Sequence, residues 1–358
     1  MAKQIAPKNG KWTLAYAIDN NHKDEDGRYT TDSYGALQNT GSIYLMNPNG
    51  HQKEEDICIA KRANIVSAMC FIPNYGLFDT GRYGGRIEVR DGGPGAWGDL
   101  DTEVRRYADS ELRKLINIGG SIVDQQIQGR DGETTPSISS LLYVPGIGLL
   151  GRKYGYVGLY LFLDKDGEFV NKYLYDTRFD NSCQEYVPEA GIFSGGSSLE
   201  HTVNTNGKLL RRKLLNNCPD IFSLCFHPSL GLISSSKWNG VRLETDSNGN
   251  KLRTPKKIGI RNYPLNRGYV DRFQYSGFVF VPGTGVMRFR NMMSDYFSNN
   301  EDSIDLVIDD EGKIFSDDRE HRKSAIKPKE IRKRINVVTA VAPIPLSFFE
   351  IVKKHFKS

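Results

Sequence analysis

The stretch FIPNYGLF, residues 71–78, has a pattern that returns four more times along this chain of 358 residues: an apolar residue, any residue, Pro, two residues, Gly and two apolar residues. The other copies are YVPGIGLL at 143–150, YVPEAGIF at 186–193, FHPSLGLI at 226–233 and FVPGTGVM at 280–287. Pro fixes φ and Gly permits a positive φ, so Pro-x-x-Gly predicts a tight turn. Repetition on this scale predicts an architecture made from copies of one structural unit.

A short apolar run precedes each copy, and a further strand signal follows it. Short apolar runs bounded by turn residues are typical of buried strands. Asp or Asn before Gly, between extended segments, predicts a hairpin. This third-strand signal occurs six times, at residues 42–50, 86–92, 158–167, 198–207, 241–249 and 303–312, and a more polar fourth strand follows, as at 251–258.

The repeated unit therefore has four antiparallel strands, here called A to D, with a Pro-Gly turn between A and B. Four-stranded units repeated around an axis are the blades of a β-propeller. We predict an all-β propeller with six four-stranded blades, and counts of five or seven remain open. A β-sandwich is the alternative, but a sandwich does not require the same order of turns six times.

The two ends of the chain depart from the pattern. In the first unit, residues 12–18 are predicted to be strand A, and a polar turn at 19–27 replaces Pro-x-x-Gly. Near the other end, NVVTAVAPIP at 336–345 resembles NIVSAMCFIP at 64–73, which indicates a strand that closes the ring. We expect residues 1–315 to form the propeller and residues 316–358 to form a basic tail with this strand and a helix.

One segment inside the second unit has a helical period. Val104, Ala108, Leu112 and Leu115 are spaced by three or four residues within 99–116, and Asp99 or Asp101 can cap the start. We predict a helix inserted in this blade.

The tail carries most of the net charge of +5. From residue 319 onwards, eleven Lys or Arg oppose three Glu, so the tail is +8 and the rest of the chain is −3. An amphipathic stretch at 346–356 ends it. We predict that its apolar face, listed as Phe348, Phe349, Ile351 and Val352, contacts a partner protein or a neighbouring subunit.

Localisation signals are few. No apolar stretch reaches transmembrane length, and the N-terminal residues lack the apolar core of a signal peptide. The five cysteines lack metal-site spacing, and we expect them to be reduced. The sequence predicts synthesis in a cytoplasm, no membrane span, and incorporation into a larger particle as one destination.

The loops between strands B and C carry a partial motif of a basic residue followed by an aromatic residue. Such surfaces can stack on sugars or bases and pair with phosphate or carboxylate groups. We predict ligand contacts, with a glycan or nucleic acid, at Arg82, Tyr83, Lys153, Tyr154, Lys237, Trp238 and Arg290.

Signatures of catalysis are weak. A glycosidase needs two carboxylates near one another, yet the predicted A strands contain a single acid, Glu185. His227 replaces an apolar residue in one Pro-Gly turn and is predicted to be structural. We predict no catalytic residue, no metal site and no cofactor. The leading hypothesis is a structural or binding platform, and the alternative is a propeller that binds or hydrolyses carbohydrate.

The repeat resembles the β-propeller superfamily over residues 11–315, which implies architecture and not function. The basic tail and the composition rich in Asn, Lys and Tyr are also similar in kind to propeller proteins in the tail hubs or nozzles of short-tailed phages. That resemblance implies a virion component, such as a phage tail or connector protein. It assigns a role to no particular residue.

Overall fold

The computed structural model describes most of the repeated units. The described residues are 13–21, 39–46, 57–62, 66, 68–82, 110–129, 132, 138–153, 158–176, 183–215, 221–236, 240–258, 277–290, 303–315 and 337–357. Within them, the chain forms 23 β-strands and one α-helix.

The strands form six antiparallel sheets, which are the blades. Blade 1 contains β1 (Thr13–Asn21), β2 (Asn39–Met46) and β3 (Ile57–Arg62). Blade 2 contains β4 (Met69–Ile72), β5 (Gly76–Arg82), β6 (Ser110–Asn117) and β7 (Ile122–Gln126). Blade 3 contains β8 (Ile138–Val144), β9 (Gly148–Lys153), β10 (Gly158–Asp164) and β11 (Phe169–Asp176).

Blades 4 to 6 follow in the same order. Blade 4 contains β12 (Cys183–Val187), β13 (Gly191–Gly195), β14 (Leu199–Val203) and β15 (Leu209–Leu215). Blade 5 contains β16 (Ile221–His227), β17 (Gly231–Ser236), β18 (Gly240–Thr245) and β19 (Lys251–Lys257). Blade 6 contains β20 (Gly277–Val281), β21 (Gly285–Arg290) and β22 (Ser303–Asp309). In blade 6, a bridge between Ile308 and Ile314 begins the fourth-strand position.

The A strands meet around a common axis. Strand β23 (Val337–Ile344) contacts β4, and the contacts continue through β8, β12, β16 and β20 back to β23. This closed cycle of six confirms the propeller and its blade count.

The apolar core is divided among the interfaces between blades. The described residues form six buried clusters, and each one joins two neighbouring blades; Phe193 of blade 4, for example, packs in the cluster that contains Ile221 and Leu232 of blade 5. Each blade thus buries both of its faces, which is why its strands contain continuous apolar runs.

The A–B turns have the geometry that Pro-x-x-Gly predicts. In blade 2, the Tyr75 amide donates to the Ile72 carbonyl oxygen at 3.1 Å, and Asn74 has a positive φ of 69°. Pro followed by a residue with positive φ is a type II turn. The glycine that ends each turn also has a positive φ: Gly76, Gly148, Gly191, Gly231 and Gly285 lie between 113° and 133°.

The C–D turns are built around an Asp or Asn side chain. Asp246 Oδ1 accepts hydrogen bonds from the amides of Asn248 and Asn250, both at 2.9 Å. Asp164, Asn204 and Asp309 make the same pair of bonds in blades 3, 4 and 6. These turns confirm the Asp/Asn-Gly hairpins and add a requirement for Asp or Asn three residues before the glycine.

Blade 2 corrects two predictions. Its third strand is β6 and not residues 86–92, which lie outside the described part of the chain. The turn after β6 begins with Asn117, whose Oδ1 accepts a hydrogen bond from the Ser121 amide at 3.0 Å. Residue 89, at the corresponding place in the predicted strand, is Val and cannot accept such a bond.

The inserted helix predicted at 99–116 is also wrong where the structure describes it, since residues 110–116 belong to β6. Leu112 packs in the cluster between blades 2 and 3, and Leu115 packs in the cluster between blades 1 and 2. Their spacing of three residues thus places them on opposite faces of a sheet that is buried on both sides. Residues 99–109 lie outside the described residues.

The C-terminal strand closes the ring. Strand β23 pairs with β1 over the register from Thr13 opposite Ile344 to Asp19 opposite Val337, and blade 1 has the order β23-β1-β2-β3. Residues 337–344 therefore supply strand A of blade 1, and β1 is strand B. This corrects the assignment of residues 12–18 as strand A and confirms the closing strand.

Helix α1 (Leu346–Lys357) follows β23 directly. The Pro345 carbonyl oxygen accepts hydrogen bonds from the amides of Phe348 and Phe349, so Pro345 caps the helix. The helix lies over the C–D turn of blade 2, where His355 Nε2 is 2.8 Å from the Gly119 carbonyl oxygen. It lies at the end of β23, on the face of the ring that carries the A–B turns of the other blades.

Candidate functional site

The hub of the ring contains one acidic side chain in the described A strands, Glu185 of β12. Cys70 of β4 and Cys225 of β16 occupy the same place in their strands, three residues before the proline of the A–B turn. Glu185 acts electrostatically on both thiols. Because blades 2 and 4 are not neighbours, a group of blade 4 can be close to both cysteines only if it lies near the axis.

Enclosure by protein changes the protonation of Glu185. The residue as a whole is half-buried, but protein surrounds the carboxyl itself, and that burial raises its pKa to about 8. Backbone amides of Tyr186 and Phe226 donate hydrogen bonds that counteract part of the rise. The carboxyl is therefore mostly protonated and uncharged at neutral pH.

The two thiols are also held in their neutral form. Burial raises the pKa of Cys70 to about 12 and raises that of Cys225 well above the usual range for a thiol, and the nearby Glu185 adds to both effects. Only a thiolate is a strong nucleophile or metal ligand. The described A strands thus present one mostly neutral acid and two inert thiols at the hub, and they hold no second carboxylate of the kind that glycoside hydrolysis needs.

His227 has the structural role that the sequence predicts. Its Nδ1 accepts a hydrogen bond from the Ser229 amide at 3.1 Å, and its Nε2 lies 2.8 Å from the Asp309 carbonyl oxygen in blade 6. The imidazole also packs edge-on against Phe280, with ring centroids 5.2 Å apart. These contacts join the A–B turn of blade 5 to the C–D turn of blade 6.

Three of the predicted ligand residues end B strands, on the face opposite the Pro-Gly turns. Arg82 ends β5, Lys153 ends β9 and Arg290 ends β21. They belong to three different blades, and their contact with a ligand stays a prediction. Tyr83, Tyr154, Lys237 and Trp238 lie outside the described residues.

Lys153 lies over an aromatic ring of its own blade. Its Nζ lies 4.3 Å from the centroid of Tyr160, on the adjacent strand β10. Both side chains are half-buried. The pair therefore stabilises blade 3 and leaves part of each group accessible to a ligand.

The predicted partner-binding face of α1 is largely used within the chain. Phe348, Phe349 and Val352 are buried in the cluster between blades 1 and 2, and the Phe348 ring lies 5.0 Å from that of Phe71. A partner cannot contact these three side chains while the helix is docked. Ile351, with 37 % of its surface exposed, is the member of the set that faces outward.

The sequence also contains a feature that the site prediction overlooked. Strands β15 and β19, the outer strands of blades 4 and 5, read LLRRKLL and KLRTPKK. Their Lys and Arg side chains are exposed. The density of cations was visible in the sequence, but only the blade register shows that both segments lie on the outer rim of neighbouring blades.

Among the residues that the structure describes, neither a metal site nor a membrane-spanning helix is found. No three His, Cys, Asp or Glu side chains lie close enough together to hold a metal ion. In the same part of the chain, no helix has the length and apolar character needed to cross a membrane. The described cysteines, listed as Cys58, Cys70, Cys183 and Cys225, are free thiols.

Comparison by sequence finds no protein-family model and no curated protein that match the chain. By structure, the chain is similar to a protein of unknown function from Bacteroides caccae, with a TM-score of 0.45 and 9 % sequence identity. The similarity covers 93 % of this chain and 99 % of the other. At this level it carries no argument about function.

Proposed function

We propose that this propeller is a non-catalytic assembly platform that associates with further copies of itself in a larger complex. The observation that carries the proposal is a set of exposed apolar side chains on the outer strands of two neighbouring blades. They are Ile122 and Val123 on β7 and Val170, Tyr173 and Leu174 on β11. Exposed apolar groups beside the open edge of a sheet are typical of a surface that another chain covers.

The chemistry of the hub supports a role without catalysis. The described A strands hold one carboxyl, Glu185, which is mostly protonated at neutral pH, and the nearby thiols are not nucleophilic. Paired titratable groups with separated pKa values are the usual basis of acid–base catalysis. A hub with one neutral acid is better suited to packing than to hydrolysis.

The setting of this platform is part of the same proposal. The resemblance in kind to tail hubs and nozzles of short-tailed phages suggests a virion component, such as a tail or connector protein, made in a cytoplasm and then incorporated into the particle. This setting rests on the resemblance alone.

Light scattering of the purified chain tests the proposal. We expect a mass that is a multiple of 40.3 kDa. Replacing Tyr173 and Leu174 with Ser removes apolar contact area from β11 and should shift the protein toward a monomer. The control is Leu210→Ser, because Leu210 is also exposed, at 38 %, but lies on the outer strand of blade 4.

A stable 40.3 kDa monomer at all concentrations would overturn self-assembly. If that monomer also retained an oligosaccharide on a glycan array, the result would favour the carbohydrate-binding alternative. Loss of assembly in the Leu210→Ser control to the same extent as in the double variant would remove β11 as the contact surface.

A further inference from the structure

The outer rim of blades 4 and 5 carries eight exposed cations in two short segments. We call these side chains the basic belt; they are Lys208, Arg211, Arg212 and Lys213 at β15, and Lys251, Arg253, Lys256 and Lys257 on β19. Residues 208–215 and 251–257 contain no Asp or Glu. The two strands lie at the same position in neighbouring blades, so their charges add on one side of the ring.

Acidic side chains of the described residues compensate only part of the belt: Glu244 interacts electrostatically with Lys251, and Glu200 lies opposite Lys213 in the register of β14 and β15. The ion pairs of Arg113 with Asp124 and of Lys165 with Asp166 lie outside the belt, and Lys213 has further contacts of its own. Like charges that are crowded without compensation destabilise a protein through mutual repulsion. Such a surface is typical of a site for an anionic partner.

Protection of sheet edges does not account for the belt. Charged residues on an outer strand prevent edge-to-edge aggregation, but the outer strands of blades 2 and 3 carry far fewer cations. Strand β7 reads IVDQQ and has none, and β11 reads FVNKYLYD and has Lys172 alone. The eight cations of blades 4 and 5 are therefore in excess of what an edge needs.

One belt residue occupies an unfavourable backbone conformation. Arg211 has a φ of 49° in the bulge of β15, at the position that Asp124 holds in blade 2 and Asn171 holds in blade 3. Asp and Asn tolerate a left-handed conformation better than Arg does. The belt thus has a cation at a position where Asp or Asn would be less strained, which is typical of a functional constraint.

We propose that the basic belt binds the phosphate backbone of double-stranded nucleic acid without reading its sequence. The two segments contain no aromatic residue, so they offer no platform on which unpaired bases could stack. Each strand is about 20 Å long at ~3.3 Å per residue. That length corresponds to several phosphates of one strand, which are spaced ~3.4 Å apart along a duplex.

Fluorescence anisotropy at several salt concentrations tests the proposal. It measures binding of the whole chain to a mixed-sequence 24-base-pair DNA duplex. The belt variant replaces Lys208, Arg212, Arg253 and Lys257 with Ser. The control replaces four exposed lysines outside the belt, Lys165, Lys172, Lys313 and Lys354, so both variants lose the same charge, and the basic tail loses a single cation, Lys354, in the control. Thermal melting verifies that each variant is folded.

We expect the belt variant to bind at least tenfold more weakly than the unmodified protein at low salt. The slope of log K against log salt should fall by about 4, close to one for each lost phosphate contact. The control should change binding less than twofold, and a variant with Arg212→Lys and Arg253→Lys should retain binding. A duplex of scrambled sequence and an RNA duplex of equal length should bind with similar affinity.

Three results would overturn the proposal. They are absence of duplex binding by the unmodified protein at low salt, equal losses in the belt and control variants, and tighter binding to polyglutamate or a sulfated polysaccharide than to the duplex. The inference does not depend on self-assembly, because a monomeric propeller would carry the same belt. Light scattering can therefore contradict self-assembly while anisotropy supports duplex binding, and the reverse result is also possible.

Discussion

The glycine after each A–B turn is constrained by two features of its surroundings. Gly191, for example, has a φ of 114°, and a Cβ atom there would overlap the Val203 carbonyl oxygen on strand C of the same blade. The equivalent glycines in blades 2, 3, 5 and 6 meet a carbonyl oxygen of strand C in the same way. The repeated Pro-x-x-Gly pattern therefore reflects a close approach of two strands as well as a turn.

Replacing Gly191 with Val should lower stability by about 1–3 kcal/mol or more, because Val is strained at positive φ and its Cβ needs the space of the Val203 carbonyl. Thermal or denaturant unfolding measures the change. The control is Gly277→Val, since Gly277 lacks a positive φ and has no heavy atom within 4 Å of a built Cβ. Equal melting temperatures for the two variants would show that the blade register is incorrect.

Glu185 should make stability depend on pH. Its pKa is about 8 in the folded protein, against a usual value of 4.5. The folded state therefore holds a proton that the unfolded state releases between those values, so stability falls as pH rises through this window. Below the usual value both states are protonated, and the group contributes no pH dependence there.

We expect Glu185→Gln to remove this dependence, because the amide stays neutral. Relative to the unmodified protein, the variant should gain up to about 1.4 kcal/mol for each pH unit between pH 5 and pH 8. Urea unfolding at several pH values measures the difference. Parallel stability curves for the two proteins over that range would show that the carboxyl is not enclosed.

At the scale of elements, helix α1 illustrates how an apolar face finds a partner within its own chain. The sequence shows that Phe348, Phe349 and Val352 lie on one face, but not what covers it. The structure places them against blades 1 and 2, and it places Ile351 over Gly120, where a Cβ atom would overlap the Ile351 side chain. The helix thus replaces the A–B turn that blade 1 lacks.

Truncation of Phe349 should therefore affect folding and not only assembly. Phe349→Ala removes a fully buried ring, and we expect a loss of about 3–5 kcal/mol in the free energy of unfolding. Phe356→Ala is the matched control, because 45 % of Phe356 is exposed, and its loss should stay below about 1 kcal/mol. If both variants unfold at the same denaturant concentration, the helix is not docked in solution.

For the whole molecule, ring closure depends on a strand from the far end of the chain. Strand β23 pairs with β1 along its length, and it also contacts β4 and β20 of the two neighbouring blades. Closure of this kind leaves no open inner edge and makes each blade depend on its two neighbours.

Deletion of residues 337–358 should therefore abolish cooperative unfolding, because blade 1 loses its inner strand and two interfaces lose apolar contacts. Deletion of residues 346–358 should retain the ring with a lower melting temperature, since β23 remains. Circular dichroism and calorimetry distinguish the two. A cooperative melt from the longer deletion would show that the ring closes without β23.

Local sequence patterns were enough to predict the all-β class and the positions of most turns, and they favoured six blades while five or seven remained open. Pro-x-x-Gly and Asp/Asn-x-x-Gly act within four or five residues, so their geometry depends on local backbone chemistry that a sequence displays directly. The sequence also indicated the closing strand, through the likeness of residues 336–345 to residues 64–73.

The contacts between distant segments depend on the three-dimensional arrangement of the blades. The apolar residues Leu112 and Leu115 fit a helix by spacing, but burial of both faces of blade 2 makes their segment a strand. In the same way, the grouping of Glu185 with Cys70 and Cys225 and the alignment of β15 with β19 depend on how blades surround the axis. Such contacts join residues far apart in sequence, and local patterns carry no information about them.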